Sequence, residues 1–223
     1  MEIEIGIAKS GRRAWGFDDI AIVPSRRTRD PELVDLSWEI DAFTFDLPMM
    51  ASAMDSAVSP ATAIEIGKLG GLAVLNLEGL WTRYEDPGPV YAEIAAAPVD
   101  EATRTIQKVY QEPVKPELIT QRVREIKAGG VLAAASLTPQ HVEALHSHAL
   151  EGGLDILVIQ GTVVSAEHVS TRGGVLNLKE FIADCEVPVI VGGCASYSTA
   201  LHLMRTGAVL SLIHISEPTR PTT

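Results

Sequence analysis

Residues 154–161 read LDILVIQG and residues 187–194 read VPVIVGGC. Each is a short, unbroken apolar run closed by glycine, where a strand with one face in water would alternate apolar and polar residues. Continuous hydrophobicity means that both faces are covered, which excludes a sheet with one solvated side. Runs of the same kind recur earlier in the chain. The predicted strands are Leu47–Ser52, Leu72–Asn76, Val131–Ser136, Ile156–Gly161 and Pro188–Cys194.

Between these runs lie helical patterns with signals at their ends. Ser59 is a predicted N-cap followed by Pro60 at the first helical position, and Gly70 or Gly71 closes that helix. Thr138 with Pro139 repeats the device, with Val142, Leu145 and Ala149 on one face and Gly152 at the exit. Ser196 is predicted to open a further helix through Leu201 and Met204 to Gly207. Strand alternating with helix is the pattern of parallel strands joined by crossover helices. The predicted fold is α/β: five strands and the start of a sixth could complete an open doubly wound sheet, whereas a (β/α)₈ TIM barrel would be truncated there, since a closed ring cannot stop after five strands.

One stretch breaks the rhythm. Trp81–Pro116 carries EDPGP, AAAPVD and EPVKPE, and this density of proline and charge predicts an inserted excursion, bounded at 77–117, with one or two short helices.

The 223 residues are 46% hydrophobic and 21% charged, enough apolar material for a real core. With 29 acidic against 18 basic side chains the surrounding field is negative, so nucleic acid is not an expected partner. The opening MEIEIGIAKSGRR scatters its charges and has no apolar run, so neither a signal peptide nor a membrane span is read there, and a cytoplasmic location is expected. The two cysteines, Cys185 and Cys194, make neither a disulfide framework nor a zinc spacing.

In a barrel the chemistry sits at the C-terminal ends of the strands. That singles out MASAMDSAV, NLEG, SLTP, QGTVVSAEHVS and GGCAS. The first places Ser52, Met54, Asp55 and Ser56 together, hydroxyls and a carboxylate suited to a ribose or sugar phosphate; the bland alternative is a capped turn leading into a helix. Cys194 follows a strand on the same face, yet its position is apolar and its expected role structural. His141, His146 and His148 share one helical stretch without an i, i+4 pair, which predicts a solvated face rather than a metal site. His168 lies in the loop after the fourth strand, within reach of a ligand. Glu85 and Asp86 read as a solvated loop.

GFDDIAIVPSRRTRDPELVDLS at 16–37 and DLPMMASAMDSAVSPATAIEIGKLGGLAVLN at 46–76 resemble the N-terminal part of the IMP dehydrogenase and GMP reductase family. The likeness continues through VIQGTVVSAEHVS and PVIVGGCASYSTALHLMRTGA, and NLEGLWTRYEDP resembles the branch that lacks the paired regulatory CBS domains. The resemblance implies hydride transfer at purine C2 with NAD or NADP as cofactor and IMP, XMP or GMP as substrate, in a homotetramer. It implies that Ser52 and Met54 touch the nucleotide while Asp55 stiffens the turn beneath it. On the cofactor side it implies Gln160, Gly161, Thr162, Gly192 and Gly193. Two departures stand there: Gln160 where the family has Asp, and Gly193 where the family has Asn.

Two other readings compete: an FMN-binding barrel of the nitronate monooxygenase kind, and a non-catalytic regulatory barrel that binds nucleotide. The final stretch, LSLIHISEPTRPTT at 210–223, resembles a translated sequencing adapter instead of the family's next strand and cysteine loop; the bland alternative is that LSLIHI is a native strand and SEPTRPTT a disordered end. The expectation is therefore a partial barrel over 1–209 with a non-native tail, without a catalytic residue of its own and inactive alone.

Overall fold

A computed structural model describes residues 2–7, 9–12, 17–23, 26, 30–161, 176–194 and 197–212. The chain divides into two units, residues 1–35 and 36–223. In the first, β1 (Glu2–Gly6) and β2 (Lys9–Arg12) form an antiparallel hairpin, and short 3-10 turns follow at Phe17–Asp19 and Pro31–Leu33.

The second unit opens with a hairpin, β3 (Trp38–Ile40) and β4 (Phe43–Phe45), and then alternates strand and helix. In order these are β5 (Met50–Ala51), α1 (Pro60–Lys68), β6 (Leu72–Asn76), α2 (Gly88–Ala96), α3 (Ala102–Val109), α4 (Pro116–Ala128), β7 (Ala134–Leu137), α5 (Val142–Glu151), β8 (Ile156–Gln160), α6 (Leu178–Asp184), β9 (Val189–Gly192), α7 (Tyr197–Arg205) and β10 (Leu210–Leu212). Strands β5 to β10 lie side by side in chain order, and every ladder between them is parallel. This is the parallel half-barrel of an α/β TIM-type fold, as the apolar runs predict.

The unbroken apolar runs are explained by a core on each face of the sheet. Ala73, Leu75, Ala135, Leu157, Ile159, Val189 and Val191 pack with α1, α4, α5, α6 and α7 through Ala63, Ile119, Val123, Val142, Leu178 and Leu203. Their strand neighbours Leu72, Val74, Ala134, Ile156, Val158 and Ile190 point the other way, onto Ile40 and Phe45 of the β3–β4 hairpin. The period of two is intact, but both of its phases are apolar.

Ser59 caps α1 as predicted: its Oγ accepts from the Thr62 amide, and Thr62 Oγ1 accepts in return from the Ser59 amide at 2.6 Å, a complete capping box. Gly70, at φ +86°, turns the chain out of the helix, a conformation glycine adopts without strain.

Several boundaries move. Of Leu47–Ser52 only Met50–Ala51 joins the ladder, because Pro48 has no amide to donate and the Leu47 amide is taken by Gly70 O. The third strand starts at Ala134, not Val131, since the Ala133 amide donates to the Asp155 carboxylate at 2.7 Å. The fifth is Val189–Gly192, shorter at both ends than Pro188–Cys194. Thr138 is not the N-cap of α5: that position is His141, and Thr138 O instead closes a turn with the His141 and Val142 amides. Ser196 lies outside the described residues. The Trp81–Pro116 excursion holds the two short helices α2 and α3 and leads into α4 at Pro116. Residues 210–212, inside the suspected tail, pair with Ile190, Val191 and Gly192 as β10. Among the described residues no helix is long and apolar enough to cross a membrane.

Candidate functional site

The C-terminal ends of β5 to β9 collect the polar residues that the two cores exclude. Directly after β5 the chain makes a tight turn: the Met54 amide donates to Ser52 O at 2.8 Å, and the Ala57 and Val58 amides both donate to Met54 O at 2.9 Å. Ser52 is half-buried and Met54 exposed at the rim.

Asp55 is the node of this turn. Its Oδ2 accepts from the Leu80 amide at 2.7 Å and from the Tyr110 hydroxyl at 2.5 Å, and its Oδ1 accepts from Asn76 Nδ2 at 3.2 Å. Its main-chain carbonyl accepts from the Tyr91 hydroxyl at 2.8 Å. A carboxylate held by three donors is fixed in position more firmly than the turn's own amides could fix it. Gly79 makes room: a Cβ built there would stand 1.8 Å from Asp55 Oδ1. Burial, together with the charge of Asp55, pushes the Tyr91 hydroxyl up to about 12. Burial and the bond to Asp55 push Tyr110 upward as well, so both remain donors at neutral pH.

Both tyrosines come from the excursion, which is thus more than a loop thrown out from the barrel. Arg83 secures it. Its guanidinium donates to Tyr110 O at 3.1 Å, to Glu112 O, and to Glu78 O at 3.0 and 3.1 Å, and lies over the Tyr110 ring. Tyr84 donates its hydroxyl to Val109 O at 2.8 Å. The buried Arg122 of α4 ties the base, donating to Trp81 O, Tyr84 O and Glu85 O and pairing with Glu125 at 2.7 Å. Glu85 and Asp86 are both exposed, in keeping with a solvated loop.

A second polar group follows β6 and β7. Glu78 accepts from the Thr138 amide and meets His141 Nδ1, each at 2.5 Å. His146 does not sit on a solvated face as predicted: its Nδ1 lies 2.8 Å from Val142 O, and its ring packs edge-on against Phe181. Among the described residues no group of His, Cys, Asp and Glu is arranged to hold a metal.

The predicted cofactor residues fall at the far end of the mouth. Gly161 donates its amide to Gly192 O at 2.9 Å and Gly193 donates to Gly161 O at 2.8 Å, which joins the ends of β8 and β9, with Gln160 half-buried beside them. Thr162 and His168 lie outside the described residues. The two predicted groups are therefore separate: Ser52, Met54 and Asp55 end β5, and Gln160, Gly161, Gly192 and Gly193 end β8 and β9, with β6 and β7 between them. Cys194 belongs to the helix-side core and is 3% exposed. Cys185 packs against the same core, and burial pushes its thiol upward, away from the thiolate a nucleophile needs.

Sequence reasoning missed Tyr91, Tyr110, Asn76, Glu78 and His141 as members of the site. Asn76 and Glu78 lie in NLEG, one of the post-strand segments, and could have been singled out there; nothing local marks the tyrosines, which stand 36 and 55 residues from Asp55.

A parallel half-barrel with its polar groups gathered at the strand ends defines an α/β protein with a TIM-type site. The family described as "IMP dehydrogenase / GMP reductase domain" matches residues 14–215, and the chain belongs to that family. A crystal structure of an IMP dehydrogenase/GMP reductase-like protein from Corynebacterium glutamicum superposes with a TM-score of 0.87 at 46% identity, covering 95% of this chain and 57% of that one. An uncharacterized oxidoreductase of Mycolicibacterium smegmatis is 44% identical over 211 residues, 92% of this chain and 56% of the relative. An inosine-5'-monophosphate dehydrogenase of Methanocaldococcus jannaschii is 31% identical over 65 residues, 29% of this chain and 13% of that protein. The chain thus spans just over half the length of the relatives that it matches most extensively.

Proposed function

We propose that this chain carries the nucleotide-binding part of a cytoplasmic purine nucleotide oxidoreductase, one that exchanges a hydride between purine C2 and a nicotinamide cofactor. The observation that carries this reading is the Asp55 node. It holds a tight turn at the mouth of the half-barrel and leaves Ser52 and Met54 at the rim, where the family resemblance puts the nucleotide. Ser52 would bond the ribose phosphate portion and Met54 would lie against the base. Asp55 is spent on its own donors and acts by position.

For the cofactor, Gln160, Gly161, Gly192 and Gly193 are sterically fit. Three of the four have no side chain, so a planar ring can rest against the backbone there, and the Gln160 amide is the polar group beside it. The nicotinamide supplies hydride acceptance or donation when bound. With IMP, the C2 hydride would pass to NAD and water would supply the oxygen of XMP; with GMP, C2 would receive a hydride from NADPH and the 2-amino group would leave as ammonia. Neither Cys185 nor Cys194 serves as the covalent nucleophile in this proposal, because both pack into the helix-side core.

The test is calorimetric titration of the chain with IMP, XMP and GMP, followed by NAD or NADPH in the presence of the nucleotide. Saturable purine nucleotide binding that is lost in Ser52→Ala, with no change in nicotinamide absorbance, is the expected result. Failure of all three nucleotides to bind would overturn the reading. Flavin retained through purification would replace it with the FMN alternative. We also propose that the protein assembles as a homotetramer, tested by light scattering.

A further inference from the structure

We propose that the inserted helical pair α2–α3 is a positioning strap for the Ser52–Asp55 turn, with Tyr110 and Tyr91 as its positioning residues. This rests on the reading of that turn as the nucleotide site. The turn is gripped at two points of one residue, the Asp55 carboxylate by Tyr110 and the Asp55 carbonyl by Tyr91. Tyr91 is on α2, and Tyr110 immediately follows α3. The two helices are also fastened to each other by the Lys108–Glu93 ion pair at 2.9 Å, and Tyr84 ties the end of α3 through Val109 O.

The strap has its own anchorage. Arg83 holds Tyr110 through its main-chain carbonyl and ring face, so the backbone of Tyr110 stays in place without its hydroxyl. The hydroxyl does something else: it orients the carboxylate that accepts the Leu80 amide and the Asn76 side chain. A helical pair with an independent fixing at its base and two donors at its tip fits a device that sets the turn's geometry. A turn that needed only closure has its own amide bonds from Met54, Ala57 and Val58. Both hydroxyls stay protonated well past neutrality, so the grip is present throughout the physiological range.

Tyr110→Phe removes the grip and keeps the ring. Tyr84→Phe is the control, since it removes a hydrogen bond from the same strap without touching Asp55. Two readouts apply to the full chain: amide hydrogen exchange at Leu80 and Met54–Val58, and titration with IMP and GMP. Tyr110→Phe is expected to speed exchange at those amides about tenfold and to weaken nucleotide binding about tenfold, the effect of one hydrogen bond to a charged group. Tyr84→Phe is expected to lower the melting temperature comparably and to change neither readout. Unchanged exchange in Tyr110→Phe, or equal loosening of the turn by Tyr84→Phe, overturns the strap. Loosening of the turn in a protein that binds no purine nucleotide would leave the strap standing and defeat the proposed function. If Tyr110→Phe does not fold, Tyr91→Phe takes its place: faster exchange at the same amides supports the strap, and unchanged exchange overturns it.

Discussion

At the β5 end of the mouth one residue gathers four donors: Leu80, Asn76 and Tyr110 on the Asp55 carboxylate, and Tyr91 on its carbonyl. At the β8–β9 end the connection is main chain to main chain, Gly161 to Gly192 and Gly193 to Gly161. The first is built from side chains brought from distant parts of the sequence, the second from backbone that the parallel ladder places there in any case. Side-chain construction makes the first end sensitive to single substitutions. The second end is held by groups that no substitution removes, except proline.

The largest effect is expected from Asp55→Ala. It strips the Leu80 amide, the Asn76 amide and the Tyr110 hydroxyl of one shared acceptor, and stranded donors at a half-buried position destabilise by about 3 kcal/mol in all. Urea unfolding measures it, and a change under about 1 kcal/mol would mean that water replaces the carboxylate and that this end is no more demanding than the other. Gly79→Ala attacks the same node by volume. With Asp55 Oδ1 only 1.8 Å from the new Cβ, either the carboxylate leaves its donors or the 79–80 backbone shifts, at about 2 kcal/mol.

The tyrosines give the comparison a pH dependence. Tyr91 is raised from 10.0 to about 12, mainly by burial and then by the charge of Asp55. In the unfolded chain it loses its proton at the ordinary value, while the folded protein retains it, so the folded state binds more protons in that window. Stability from this group is complete below pH 10, falls as pH rises and is gone above the raised value; Tyr110 moves in the same direction. The melting-temperature gap between the wild type and Tyr91→Phe should therefore narrow as the pH rises from about 10 to about 12. A gap that widened would show that the tyrosinate is the stabilised form.

What the sequence makes legible depends on where each interaction originates. The strands are readable because a sheet covered on both faces must be apolar in both phases. Leu72–Asn76 has the same bounds in sequence and structure because no side chain competes for its ladder. The strand start at Val131 fails because Asp155, 22 residues after Ala133, takes the Ala133 amide. Thr138 has the sequence signature of an N-cap, yet its amide is drawn to Glu78, 60 residues earlier. The Ser59 cap is readable since its capping partner, Thr62, lies three residues away. Ser52, Met54 and Asp55 can be named as a candidate site from sequence, but the Asp55 partners across 36 and 55 residues leave no mark on local spacing.

Cys194 offers the smallest expected effect and the sharpest test of the backbone-built end. It follows Gly193 directly, so by sequence alone it is the nearest thiol to the predicted cofactor surface. Its burial at 3% exposure with Leu157, Val189 and Val191 makes it a small apolar filler of the helix-side core. Cys194→Ala should cost about 1 kcal/mol in urea unfolding and leave nucleotide affinity unchanged. Alkylation of the folded wild type should be slow at this position and accelerate on unfolding. Rapid labelling of Cys194 in the folded chain, blocked by a purine nucleotide, would put a reactive thiol at the β9 end. The mouth would then carry a side-chain function at both ends.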